Sequence, residues 1–456
     1  MKHVVIVGGG FAGLEVARGL AGEEVAITLV DRRNHHLFQP LLYQVATAAL
    51  NPSDIAYPIR GVLKDQRNAR VLLAEAKAVD AARRTLILDG GELRYDYLVV
   101  AAGATHSYFG NRWSQVAPGL KSIEDALEIR RRVFLAYEAA EREVDPVEQR
   151  SWLTFVVVGG GPTGVELAGA LGEIGIHTLA RDFRRIDPTQ VRVLLVEGRD
   201  RVLAAYPAKL SAAAQRSLER RHVEVRVQSR VTAIDDREVT VTRADAQEII
   251  ATRTVLWAAG VEGSPLGATL PATRDRAGRV EVQADLSIAG HPELFVIGDL
   301  AKVICDGAEV PGVAQAALQE GRHVAAILRG ELRGQRTTRA PFTYRDKGSM
   351  ATIGRSSAVV ATRRYVGHGH IAYLLWWAIH IAFLVGFRSR LMVMFHWIWS
   401  WLTFQRGARL ITGDIGPLPP VGGIEPSGVA TLGTASQVVG LPEPSDAPLN
   451  RDGNRN

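Results

Sequence analysis

Three features that can do chemistry together recur in this chain: a glycine cluster, a helix start behind it, and an acid that ends the next strand. Gly8-x-Gly10-x-x-Gly13 follows the β-branched run "VVIV" and opens an amphipathic pattern. Gly8 permits a tight turn, Gly10 lets the backbone approach a pyrophosphate, and Gly13 lets helix and strand pack closely. The helix start adds free N–H groups and partial positive charge for phosphates. A second strand, "VAITLVD", ends in Asp31, where a carboxylate can accept hydrogen bonds from a ribose. The same set returns at an offset of 151 residues as Gly159-x-Gly161-x-x-Gly164, with "VRVLLVE" ending in Glu197. An acid there suits the free 2′-hydroxyl of NAD and repels the 2′-phosphate of NADP. Arg199 and Arg201 stand close enough to weaken that preference, and NADH remains the favoured reading. Glu166, two residues past Gly164, either complements the helix dipole or stands near a nicotinamide. Glu15 holds the same place in the first repeat, so position alone does not choose.

These loops need two βαβ units to position them, so the expected fold is α/β with two Rossmann-like dinucleotide-binding domains. Between the loops, "TLILDGGELRYDYLVVAAGA" (85–104) reads as a hairpin and then a buried strand. "TVLWAAGVEGSP" (254–265) is its counterpart after the second loop, and "LFVIGDLA" (294–301) adds a strand ending in Gly298-Asp299. The expected division is a first unit over 1–115 and a second over 116–290. The first unit resumes over 291–340, a C-terminal helical region follows over 341–412, and 413–456 reads as a disordered tail rich in Pro, Gly and Ser.

Composition narrows the chemistry. Apolar residues make up 47% and charged residues 22% of the chain, which excludes wholesale disorder. The one cysteine, Cys305, excludes an intrachain disulfide and a redox cysteine pair, suits a reducing compartment, and reads as a small buried hydrophobe. No signal peptide is expected at the N-terminus. The pairs His35–His36 and His368–His370 lack neighbouring acids or cysteines, so packing roles are expected and no metal site. Residues 321–410 carry fourteen Lys/Arg against Glu331 and Asp346, although the whole chain is only +6. A nucleic acid or an anionic membrane surface suits such a region.

Two further stretches, "VDRRNHHLFQPLLYQVATAAL" (30–50) and "VAQAALQEGRHVA" (313–325), make the pattern specific. With the two loops and "FVIGDLA", the chain resembles type II NADH:quinone oxidoreductases over roughly residues 1–410. That resemblance implies FAD in the first unit, NADH in the second, and a membrane quinone as the electron acceptor, with no proton pumping. It gives Gly8, Gly10, Gly13 and Asp31 to the ADP half of FAD, Gly103 to the flavin nucleotide, and Asp299 to its ribityl chain. It gives Gly159, Gly161, Gly164 and Glu197 to NADH, and sets Glu166 beside the nicotinamide. The family's A-Q-x-A-x-Q motif, which lies by the flavin at the quinone site, is Ala314 to Gln319 here. Gln315 or Gln319 would hydrogen-bond a quinone carbonyl, with small alanines at 314, 316 and 317 admitting a flat ring. Lys347, in "YRDKGSMATIG", resembles the family lysine near the flavin and would stabilise its anionic reduced ring. By itself "AQAALQEGRHVAAIL" is an ordinary helix with good propensity.

The membrane side rests on "LLWWAIHIAFLVGF" (374–387) and "LMVMFHWIWSWLTFQR" (391–406). The first lies within a 17-residue run, short of the about 20 apolar residues that a span needs. On a helix, His396, Ser400, Thr403 and Gly407 share a narrow face of the second, and apolar residues take the rest. Five of the eight tryptophans fall between 376 and 401, and Trp favours the headgroup boundary. Arg363, Arg364, Arg388, Arg390, Arg406 and Arg409 suit anionic headgroups. The expectation is a hairpin lying in the interface, peripheral on the cytoplasmic face of the inner membrane; a homodimer interface, a core element and a true span are the alternatives. That placement leaves no nucleic-acid partner. Sulfide:quinone oxidoreductase and dithiol reductases need a cysteine pair that one cysteine cannot supply. A soluble reductase of another electron carrier leaves 371–404 unexplained, and a redox-sensing membrane scaffold would retain FAD without turnover.

Overall fold

A computed structural model describes residues 1–335, 338–403, 406–415 and 418. The β-branched run Lys2–Val7 pairs in parallel with Val25–Asp31 on one side and Tyr97–Val100 on the other. Val4, Val5 and Ile6 are fully buried, as a parallel strand covered on both faces requires. The first sheet runs in the order Ser287–Ile288, His291–Val296, Tyr97–Val100, Lys2–Val7, Val25–Asp31, Ala69–Leu73. The second repeats the plan with Val223–Arg226, Arg192–Val196, Thr154–Val158 and Thr254–Trp257, all parallel. A three-stranded antiparallel sheet accompanies each: 76–94 beside the first and 229–251 beside the second. The strands Thr85–Leu88, Gly91–Arg94 and Tyr97–Val100 account for the stretch 85–104. Because Ser287–Ile288 pairs with Phe295 and His291, the chain rejoins the first sheet by 287, slightly ahead of the division expected at 290.

Small residues set how closely helices approach the first unit. Helix Ala314–Leu332 lies along helix Phe11–Gly19, where a Cβ at Gly321 would sit 2.5 Å from the Ala12 carbonyl oxygen. Ala316 and Ala317 are buried in that packing. Cys305 is only half-buried, and its sulfur accepts the Tyr344 backbone N–H at 3.3 Å, so it acts as a polar anchor and not as a buried hydrophobe.

The C-terminal region is a small antiparallel sheet, Ser349–Thr352, Ala358–Ala361 and Val366–Gly369, followed by helices His370–Phe383 and Phe387–Thr403. At about 1.5 Å per residue even the longer helix, 17 residues, reaches only about 26 Å. Among the described residues no helix is long and apolar enough to cross a membrane. The five tryptophans of this region differ in burial, with Trp377 half-buried against Trp397. Trp376 and Trp397 are buried, their ring centroids 5.1 Å apart, with His380 stacked 4.1 Å from Trp376. These are core residues and not headgroup anchors; only Trp399 and Trp401 face outward. The face of the second helix that meets the protein carries Ser389, Val393 and Trp397 at fourfold spacing, and His396 turns to Asp54 at 3.7 Å. Two of the arginines expected at headgroups are also spent internally. Arg406 donates to the Thr47 carbonyl at 2.7 Å and lies 3.7 Å from Glu173, and Arg409 pairs with Asp182. The segment expected as a tail lies outside the described residues, apart from 413–415 and 418.

Candidate functional site

Each glycine loop is a cradle with one open position. A Cβ on Gly13 would lie 1.9 Å from the Gly8 carbonyl oxygen, and one on Gly164 would lie 1.8 Å from that of Gly159. Gly8 and Gly159 turn the chain with φ of +104° and +108°. Gly10 and Gly161 have no neighbour within 4 Å of a Cβ position, so their backbone faces open space at a helix start. The acids do more than the sequence suggests. Asp31 accepts the Gly9 N–H at 2.6 Å and the Arg33 N–H at 2.7 Å. Glu197 accepts the Gly160 N–H at 2.5 Å and the Arg199 N–H at 2.7 Å. Both carboxylates therefore brace the loops, and each oxygen keeps a lone pair for a ribose hydroxyl.

Beyond the first loop, Gly103 has φ +70° and open space at its Cβ position. Asp299 follows strand His291–Val296 in a short turn, with the Lys121 ammonium 3.4 Å away. That turn is held by Glu320, a residue the sequence reading missed. Its carboxyl accepts the Gly298 N–H at 2.5 Å and is almost wholly buried, and burial pushes it up to about 7. The available signal was an acid directly after "AQAALQ", inside a helix otherwise apolar on that face.

A cavity of about 1600 Å³ runs from the second loop to the hairpin. Gly159, Gly161 and Glu197 of the second unit line it together with Gln315, Lys347 and the hairpin residues His380, Phe383 and Gly386. Gln319 does not line it. Its amide nitrogen donates to the Arg345 carbonyl at 3.0 Å, and its oxygen accepts the Arg345 N–H at 3.0 Å. This clamps the segment that presents Lys347. Ala314 lines the cavity, whereas Ala316 and Ala317 do not. Gly8, Gly10, Gly13, Asp31, Gly103, Asp299 and Gly164 lie outside its wall.

Glu166 lies off the cavity wall at the end of a hydrogen-bond chain. Trp397 Nε1 donates to Gln44 at 2.6 Å, Gln44 donates to the Tyr43 hydroxyl at 2.9 Å, and Tyr43 meets the Thr352 hydroxyl at 2.7 Å. The Thr352 N–H then donates to Glu166 at 3.4 Å. Enclosure pushes the Glu166 carboxyl up to about 8, against the lowering effect of that one hydrogen bond. Burial also pushes the His380 imidazole down to about 4, so its ring is neutral at physiological pH.

The chain matches the pyridine nucleotide-disulphide oxidoreductase family over residues 2–321 and the NDH2 C-terminal domain over residues 347–406. It is 44% identical over 421 residues, 90% of each chain, to a type II NADH:quinone oxidoreductase of Mycobacterium tuberculosis. The chain belongs to the type II NADH:quinone oxidoreductase family. Its fold is that of NDH2 from Plasmodium falciparum, solved in complex with NADH, with a TM-score of 0.82 at 19% identity over 90% of this chain and 100% of that one. The sulfide:quinone oxidoreductase of Aquifex aeolicus shares the fold more distantly, with a TM-score of 0.67 at 18% identity over 86% and 92% of the two chains. At such identities the likeness shows the fold and does not choose between the two proteins. For a type II enzyme the single cysteine is no handicap, since hydride transfer needs positioning and no thiol.

Proposed function

We propose that this chain is a peripheral membrane enzyme that oxidises NADH and reduces a membrane quinone, working from the cytoplasmic face. The observation that carries the reading is one continuous cavity, walled by the second loop and Glu197 together with the hairpin. The first unit fits FAD: Gly10 and Gly103 leave space that a Cβ would fill, and Asp31 and Asp299 bring acceptors to the same side of the sheet. When bound, FAD supplies the two-electron relay between nicotinamide and quinone. Gly8, Gly10, Gly13 and Asp31 hold its ADP half, Gly103 lets its nucleotide approach, and Asp299 accepts from its ribityl chain, with Lys121 neutralising that acid.

On the other side, Gly159, Gly161 and Gly164 receive the pyrophosphate of NADH, and Glu197 accepts from its ribose. Glu166, held by the Thr352 N–H and protonated below about pH 8, would serve the nicotinamide from behind the cavity wall. Gln315 offers its amide to the quinone. Gln319 holds the Arg345 backbone and so places Lys347, whose ammonium opposes the negative charge that reduction brings. The neutral His380 and Phe383 keep the hairpin wall of the cavity compatible with an apolar quinone.

The test is NADH oxidation with and without a quinone analogue, run in parallel with NADPH. Turnover that requires quinone and prefers NADH supports the reading. NADH oxidation indifferent to quinone would shift it toward a reductase of some other carrier, and no oxidation at all toward a scaffold.

A further inference from the structure

A second pocket, of about 510 Å³, opens at the far end of the second hairpin helix, away from the catalytic cavity. Its walls are the end of helix Pro162–Glu173 with His177, the stretch Arg220–His222, and the turn Arg355–Ser356 facing Trp401. The acid in this wall, Glu173, is already engaged. It accepts from Arg221 Nε at 2.9 Å and from the Arg355 N–H at 2.6 Å. Arg221 is fixed as well, donating to the Ser217 carbonyl at 2.9 Å and the Arg355 carbonyl at 2.6 Å. The Arg355 guanidinium lies 5.7 Å from the centre of the Trp401 ring, and Trp401 Nε1 donates to Ser356 at 3.2 Å. Three guanidiniums against one carboxylate leave the pocket positive. Arg220 is exposed and pairs with no carboxylate among the described residues.

The rim gives the charge its meaning. Trp401 and Leu402 are 49% and 64% exposed, and they continue the apolar outer face of the hairpin. A cationic pocket and an apolar ledge therefore meet at one edge, with an indole at the boundary. A molecule that carries a phosphate above two acyl chains has this same arrangement of charge and grease.

We propose that this pocket binds the phosphate of one anionic phospholipid, with Arg220 as its principal cation and Trp401 and Leu402 against the start of the acyl chains. The proposal rests on the hairpin lying on lipid, and the experiment separates the two. The full-length holoenzyme in neutral detergent is titrated with short-chain phosphatidylglycerol, phosphatidylcholine or inorganic phosphate and read by native mass spectrometry. One saturable phosphatidylglycerol adduct is expected. Arg220→Glu should weaken it at least about tenfold, the loss of one charge-assisted contact. Arg237→Glu, the same charge change on an exposed bend ahead of strand Glu238–Arg243, should weaken it less than about twofold. Both variants should keep NADH oxidation with a water-soluble quinone analogue, which verifies folding. The pocket is overturned by the absence of a saturable adduct, by equal binding of phosphatidylcholine, by equal losses in the two variants, or by inorganic phosphate competing as well as the lipid. Flotation on neutral phosphatidylcholine vesicles reports on the docking itself. Failure to float refutes the hairpin reading and the pocket with it, whereas floating without a phosphatidylglycerol adduct refutes only the pocket.

Discussion

Removing residues 366–410 would be a poor test of membrane docking, because the deletion takes away Trp376, Trp397 and the Arg406–Glu173 contact along with the lipid-facing surface. The structure allows a cleaner perturbation. Phe395, Trp399 and Leu402 sit on the outer face of the second hairpin helix, 58%, 50% and 64% exposed. Fully burying such a side chain contributes about 1.5–3 kcal/mol, so transferring the exposed half of each into lipid contributes about 1 kcal/mol. The triple change Phe395→Ser, Trp399→Ser, Leu402→Ser should then cost about 3 kcal/mol of membrane affinity, or about a hundredfold in the partition coefficient. Cosedimentation with neutral phosphatidylcholine vesicles measures it, since no charge is altered. Thermal unfolding should shift little, because the replaced area faces away from the core. A partition coefficient within about threefold of wild type would refute the idea that this face meets lipid, and would favour a second copy of the chain as its occupant.

Trp397→Ala provides the contrast: it empties a buried site and strands the Gln44 acceptor, so the free energy of unfolding should fall by about 3–5 kcal/mol, seen as a lowered denaturant midpoint. Glu197→Gln should lower the kcat/KM preference for NADH over NADPH about tenfold or more. It removes the charge that repels a 2′-phosphate and weakens the brace on Gly160; an unaltered ratio would take Glu197 out of the ribose site. For Glu166, whose folded carboxyl is pushed up to about 8 from an unfolded value near 4.3, the folded state binds the extra proton between those limits. Wild-type stability should therefore fall as pH rises through that window, and the melting-temperature advantage of Glu166→Gln should grow from pH 5 to pH 8 and then level off. Any titration near pH 8 in kcat/KM for NADH should vanish in the same variant. Glu320→Ala leaves the Gly298 N–H without a buried acceptor and loosens the turn that carries Asp299. Faster FAD release on dilution is expected, with Glu320→Gln between it and wild type.

Local spacing made much of this legible. The two loops, their helices and their acids act through contacts made within one βαβ unit, so the glycine pattern alone located both units and the strands around them. Position within the unit could not separate Glu166 from Glu15, because the two repeats are alike there. The difference lies in what packs against each. Glu15 pairs at 2.8 Å with Arg322, and Glu166 is enclosed beside Thr352. The same limit explains Gln315 and Gln319. They stand one helical turn apart on the same face, yet one lines the cavity and the other is consumed by the Arg345 backbone.

The sequence by itself determined that the chain carries two dinucleotide-binding units, that a thiol relay is not its chemistry, and that its C-terminal region is both greasy and basic. Only the tertiary structure decided which grease and which charge remain available to a membrane. Trp376 and Trp397 read like Trp399 and Trp401 along the chain, and Arg406 reads like Arg390. Trp397 is held inside by Gln44 and packs on Trp376, and Arg406 is held by Thr47 and Glu173, residues hundreds of positions away. A helix apolar on nearly every side carries no periodic mark of its inner face, so that face is set by the partner the fold brings to it.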